Sequence, residues 1–361
     1  MILSAAFFVT WLPVTVIFLL ILGVLVFAHE FGHFIAAKKS GIGVEEFGFG
    51  FPPRLFGIRR KETTYSLNLI PLGGFVRLVG ESGPPFDTKN SFAAKPPGIR
   101  FLVLVMGVVM NLVLAILVLA IGFGLGMPLF SNHDTQLPYP GVKKSEVRIV
   151  EVLSNSLAQK IGLEAGDIIL GSPENNFYSY KAIYNYSRES QNPVLRIKRG
   201  ESEISFSFDQ IKEGEYLGIL MQEKASYSFW WLPFIALCEA GKLIWAIMLL
   251  FGKLFADLFA HGIVPQDMAG PVGIFIFTSE AVRSGFFEVI RLIVVLSINL
   301  AIINILPFPA LDGGRILFVA VEKLRGRRVA QNIENIIHSI GLVLLLVLIF
   351  LITWRDIIRL K

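Results

Sequence analysis

The stretch His29-Glu30-Phe31-Gly32-His33 decides how this chain is read, because of what precedes it. From Met1 to Ala28 there is no charged residue, and Ile17-Phe18-Leu19-Leu20-Ile21-Leu22-Gly23-Val24-Leu25-Val26-Phe27 runs directly into the HExxH motif. On a helix, residues four apart share a face, so His29 and His33 can turn two imidazole nitrogens toward one metal ion. Glu30 lies about 100° around the same helix, beside such an ion rather than under it, which suits a general base acting on water there. Three ionisable side chains at the end of a long apolar helix cost several kcal/mol unless paired or ligated, and they mark function by default. Two histidines leave a catalytic zinc one protein ligand short of the usual three.

Composition agrees with a membrane setting. Only 17% of the 361 residues are charged and 54% are hydrophobic, against about 25% charged in soluble domains. Mean hydropathy is +0.64. The net charge of +5 is carried by basic residues clustered in particular loops, and no nucleic-acid motif is present. The first apolar stretch is too long for a signal-peptide core and lacks a basic start, so it reads as a retained span. Cys238 is the single cysteine, which excludes an intramolecular disulfide.

Working outward, the expected fold class is a polytopic α-helical membrane protein with four transmembrane helices, a short membrane-associated β-hairpin and an inserted extracytoplasmic domain. The first span covers about Leu12 to Ala37 and the second about Phe101 to Met127. The basic loop between them, Lys38 to Arg100, is expected in the cytoplasm. Within it, Thr64 to Leu69 and Phe75 to Leu78 alternate as strands around Pro71-Leu72-Gly73-Gly74, so a hairpin is expected there, either a solvated surface or an edge that pairs with an extended substrate. Gly107-Val108-Val109-Met110-Asn111 in the second span combines a close-packing glycine with an asparagine able to bond across helices.

Four regions follow: 1–130 with the motif, 131–228 as the one long polar stretch, 229–290 as an interfacial helix and linker, and 291–361 with the last two spans. Phe229 to Phe259 is apolar, but Glu239, Lys242, Lys253 and Asp257 fall within a sector of about 60°, so it is expected to lie at the interface rather than cross. Leu292 to Ala310 ends in Asn304-Ile305-Leu306-Pro307-Phe308-Pro309-Ala310-Leu311-Asp312-Gly313-Gly314, where prolines and glycines break the helix and leave Asp312 beside the membrane. The last span runs from about Ile336 to Trp354. Depth makes Asp312 the candidate third ligand: it ends its span next to a basic loop, as His33 does, provided 229–259 does not cross. His133, His261 and His338 read as ordinary polar residues.

These motifs, in this order, resemble the site-2 protease family of intramembrane zinc metalloproteases, in its bacterial RseP-like branch. The stretch Ser156 to Ile169, with Gly162-Leu163-Glu164-Ala165-Gly166-Asp167, resembles the PDZ signature, and Tyr216-Leu217-Gly218-Ile219 resembles its carboxylate-binding loop. The resemblance implies a Zn2+ cofactor held by His29, His33 and Asp312, Glu30 as general base, and substrate handling by Asn304, Gly73, Gly74 and Asn111. It further implies cleavage of single-span membrane proteins, such as an anti-sigma factor or signal-peptide remnants, in the bacterial inner membrane. The site would lie toward the cytoplasm and the single PDZ domain outside it, with a C-terminal peptide as that domain's ligand; many relatives carry two. The competing readings are a metal-dependent transporter, which calls for broken helices repeated in matching halves, and a non-proteolytic PDZ-bearing scaffold, which has no use for Glu30.

Overall fold

Five helices of the computed structural model are long and apolar enough to cross a membrane by length and composition: within Trp11–Lys39, Pro97–Gly124, Phe229–Leu254, Phe286–Ile305 and Asn332–Ile358. The structure describes residues 2–81, 88–130, 139–212, 215–261 and 270–359. Residues 131–138, which open the expected inserted domain, and residues 262–269 of the expected 229–290 region lie outside them. The expectation counts four of these as spans; the fifth, at 229–254, is apolar enough to cross by composition although its helix carries four charged residues.

The chain divides into two units, residues 1–118 with 243–361, and residues 119–242. In the first, α1 (Ile2–Lys39) leads into β1 (Val44–Arg60) and β2 (Thr63–Leu78), and then into α2 (Pro97–Gly124). The expected hairpin needs correction. Gly48 pairs with both Ser66 and Phe75, so residues 44–49 lie between the two stretches that were expected to pair with each other. The ladder order is 54–60, 63–70, 44–49, 74–78, each long strand doubling back on the other. Turn residues at 71–74 were legible locally; the strand that inserts beside them comes from a different part of the chain.

Aromatic side chains seat this sheet on α1. Phe47 meets Phe27, Phe31 and Phe34, and Tyr65 meets Phe34, with ring centroids 4.9–6.4 Å apart. Lys38 Nζ adds a hydrogen bond to Thr63 Oγ1 at 2.7 Å. The far part of the sheet is apolar and exposed, including Leu55, Phe56, Ile58, Leu67 and Leu69. Such a face is stable in contact with lipid or protein and not with water.

After α5 (Leu232–His261), the chain forms α6 (Pro271–Ser284), α7 (Phe286–Ile305), α8 (Asp312–Arg325) and α9 (Gln331–Arg359). Gly270 and Gly273 donate their backbone N–H groups to Asp356 Oδ2 at 2.9 and 3.0 Å, so a buried carboxylate of α9 caps the start of α6. One core joins Ala36 and Ala37 of α1, Val44 and Leu78 of the sheet, Val103 and Leu104 of α2 and Val319 of α8. Arg100 reinforces it with a 2.5 Å ion pair to Glu322. Burial alone raises the Glu322 carboxyl, but hydrogen bonds from Arg100 and Arg328 hold it below its ordinary value.

The second unit holds a five-stranded antiparallel sheet in the order β6-β5-β4-β3-β7, from β3 (Val142–Val152), β4 (Ile168–Gly171), β5 (Val194–Arg199), β6 (Ser202–Ser207) and β7 (Ile219–Tyr227). Two short helices, α3 (Leu157–Ile161) and α4 (Tyr180–Glu189), are capped by Ser156 and Ser179. Strands β5 and β6 pair across a turn at Arg199-Gly200, and α4 had no place in the sequence reading.

Candidate metal centre

The site is assembled by two glycines. Asp312 opens α8, directly after the break that ends α7 at Ile305. Gly313 makes that turn sterically accessible, since a Cβ there would stand 2.0 Å from the Leu306 carbonyl oxygen. Gly107 lets α2 come against the histidines of α1: a Cβ there would stand 2.4 Å from His33 Nε2 and 2.7 Å from His29 Cε1. Both histidines are 7% exposed as a result.

Three ligand-type atoms converge. Asp312 Oδ2 is 2.9 Å from His29 Nε2 and 3.2 Å from His33 Nε2, and the two nitrogens are 3.2 Å apart. Donors 2.0–2.1 Å from one tetrahedral ion stand roughly 3.3 Å from each other, so the spacing fits zinc. The outer partners fit as well. His33 Nδ1 donates to the Val103 carbonyl oxygen at 2.8 Å; a carbonyl only accepts, so the proton sits on Nδ1 and Nε2 presents a lone pair. Asn111 is fully buried, its amide 3.3 Å from His29 Nδ1, and its Oδ1 has no partner. An amide turned by 180° satisfies that oxygen when His29 carries its proton on Nδ1, the tautomer that ligation through Nε2 requires. Among the described residues, His29, His33 and Asp312 are the one group able to hold a metal ion.

Glu30 stands apart from that trio. Its Oε2 accepts from the Val76 backbone N–H at 3.1 Å, which links it to the 74–78 stretch of the sheet. An open groove of about 670 Å³ passes along it, lined by Glu30, His33, Asp312, Phe75–Leu78 of the sheet, Arg315 of α8 and His338 and Leu342 of α9. Arg315 is ion-paired to Glu81 within the same wall.

The other expected residues spread out. Gly74 approaches Glu30: a Cβ there would lie 3.7 Å from Glu30 Cγ and 2.9 Å from the Gly48 oxygen. Gly73 has φ 108° and faces Val26 and Phe51. Asn304 is half-buried on the last turn of α7, and neither it nor Asn111 lines the groove. Tyr216, Leu217, Gly218 and Ile219 lie in the other unit, where they line an apolar cavity of about 110 Å³ with Ile183 and Tyr184 of α4. His133 and the side chain of His261 lie outside the described residues. His338 is no ligand, yet its Nδ1 accepts from the Ala310 backbone N–H at 2.9 Å, a contact with no signal in the sequence.

Comparison with known proteins adds a family. A model described as Peptidase family M50 matches residues 17–348. A Clostridium perfringens protein bearing a provisional zinc metalloprotease name is 33% identical, over 94% of this chain and 97% of its own. The zinc metalloprotease RasP of Bacillus licheniformis is 27% identical, with 95% and 98% covered. The regulator of sigma-W protease RasP of Bacillus subtilis is 26% identical at the same coverage.

Proposed function

The chain belongs to peptidase family M50 and is a zinc metalloprotease, and on that premise we propose that it hydrolyses peptide bonds in or beside the transmembrane segments of other membrane proteins. The observation that carries the proposal is the placement of a two-histidine, one-aspartate cluster at the end of an apolar helix, with Glu30 beside it and an open groove passing both.

In this reading His29, His33 and Asp312 hold zinc, which when bound polarises the scissile carbonyl and activates water. Glu30 takes the proton of the attacking water and delivers it to the leaving amine nitrogen. Its hydrogen bond from Val76 N–H aims the carboxylate along the groove wall. The substrate lies extended beside residues 75–78, because a helical segment has its backbone hydrogen bonds satisfied internally and must unwind before attack. Gly74 lets the head of that stretch close against Glu30 and the Gly48 carbonyl.

Connectivity supports four crossings rather than five. His33 and Asp312 need one depth, so the chain between them crosses an even number of times. With α2 and α7 crossing, α5 lies in the interface, as its narrow charged sector favours. At 14 residues, α6 spans about 21 Å, too short to cross a bilayer on its own. The 119–242 unit then lies outside the cytoplasm and the zinc site toward it, in a bacterial inner membrane. We read that unit as PDZ-like: Tyr216 to Ile219 lead into the edge strand β7 facing α4, a groove shaped for an apolar C-terminal residue. Single-span proteins are the substrate class, and an anti-sigma factor fits the sigma-W role carried in the name of the Bacillus subtilis relative.

A panel of single-span peptides incubated with purified wild type and Glu30→Gln tests the proposal. Cleavage within the apolar segments by wild type alone is the expected result. Absence of cleavage across the panel by a zinc-loaded wild type would instead favour a scaffold.

A further inference from the structure

We infer that His338 is a positioning residue which, with Gly341, makes α9 the seat of the Asp312 turn; the inference rests on Asp312 being a zinc ligand. Ala310 donates its N–H to His338 Nδ1 at 2.9 Å. Ala310 has φ 75°, in the left-handed region that residues with a side chain seldom occupy. A conformation of that kind persists where its surroundings over-determine it. His338 supplies one such constraint, two residues before the carboxylate.

Gly341 supplies the second. A Cβ at that position would stand 2.3 Å from Pro309 Cβ and 2.7 Å from the Pro309 carbonyl, so the absence of a side chain lets α9 touch the turn itself. Residues three apart share a helix face, so His338 and Gly341 present one surface to Pro309 and Ala310. Phe318 of α8 packs on the imidazole with ring centroids 5.5 Å apart, which fixes its orientation from the other flank. Among the described residues of α9, Gly341 and Asp356 are the buried ones, so the turn at Pro309 and Ala310 is one of two places where this helix is closely seated.

The hydrogen bond also settles which nitrogen of His338 does what. A nitrogen that accepts carries no proton, so the neutral ring holds its proton on Nε2. That atom is buried without a partner, and His338 lines the groove. The residue thus reaches the metal centre through the backbone, by setting the direction in which Asp312 leaves the turn.

The test is zinc affinity of the full-length protein in detergent, measured by chelator competition, with melting of the metal-free form as a control for folding. His338→Leu removes the acceptor and is expected to weaken zinc binding about 10- to 100-fold, the range for lost outer partners of a metal ligand. In His338→Asn, Oδ1 stands where Nδ1 stood, and affinity is expected near the wild-type value. His338→Gln places its acceptor one bond too far and is expected to behave like the leucine variant. If His338→Leu does not fold, the contrast between Asn and Gln carries the test. Wild-type affinity in His338→Leu, or equal affinity in Asn and Gln, overturns the inference. Asp312→Ala in the same series separates the two levels: if it keeps zinc, the ligand assignment has failed, and if it alone loses zinc, only the role of His338 has.

Discussion

Glu30 and His29 are adjacent in sequence and have different work because a helix turns about 100° between them. The histidines face Asp312, while Glu30 faces Val76 of the sheet. Glu30→Gln keeps the side chain's shape and its place as acceptor through the amide oxygen, but removes the base. Zinc content is expected to stay at the wild-type level while turnover falls at least about 10²-fold; parallel metal analysis and peptide cleavage check this, and near-normal turnover rejects Glu30 as the base. The trio was legible for two physical reasons, the i, i+4 spacing of His29 and His33 and the shared depth of Asp312. Asn111 and His338 were less so. Asn111 was expected among the substrate-handling residues and stands buried against His29. His338 looked unremarkable because its role is a hydrogen bond to a backbone 28 residues away, and no side-chain pattern encodes such a partner.

Among the elements, the sheet and α5 show where local patterns stop. Alternation marked residues 64–69 and 75–78 as extended, and they are, but strand order depends on residues 44–49, whose fit beside both neighbours is a matter of tertiary packing. The helical state of α5 followed from its apolar run, whereas crossing or lying flat depends on partners. Glu239 is completely buried, accepting from Tyr139 Oη at 2.7 Å and from the Phe130 N–H at 3.0 Å. The four-crossing account predicts that reporters placed in the 139–228 stretch and immediately after His261 report the same side of the membrane. Labelling of single cysteines by an impermeant reagent in a Cys238→Ser background checks this, and opposite sides for the two positions would mean that α5 crosses.

At the scale of the whole molecule, His29, Glu30, His33 and Asp312 all belong to the unit formed by 1–118 and 243–361, while the proposed peptide groove belongs to 119–242. In the proposed reading, chemistry and peptide recognition reside in different units. Replacing residues 142–227 by a short flexible linker is expected to leave zinc bound and to preserve or widen cleavage of short single-span peptides. Loss of all activity with zinc retained would instead make that unit part of the active fold. The central claim is narrower than this division of labour: two helices distant in sequence contribute one metal site, with Asp312 completing what the HExxH motif begins. Zinc content per purified chain, compared between wild type and Asp312→Ala, tests it most directly. About one zinc per wild-type chain, lost together with cleavage in the alanine variant, is the predicted result, and a variant that keeps its full zinc would contradict it.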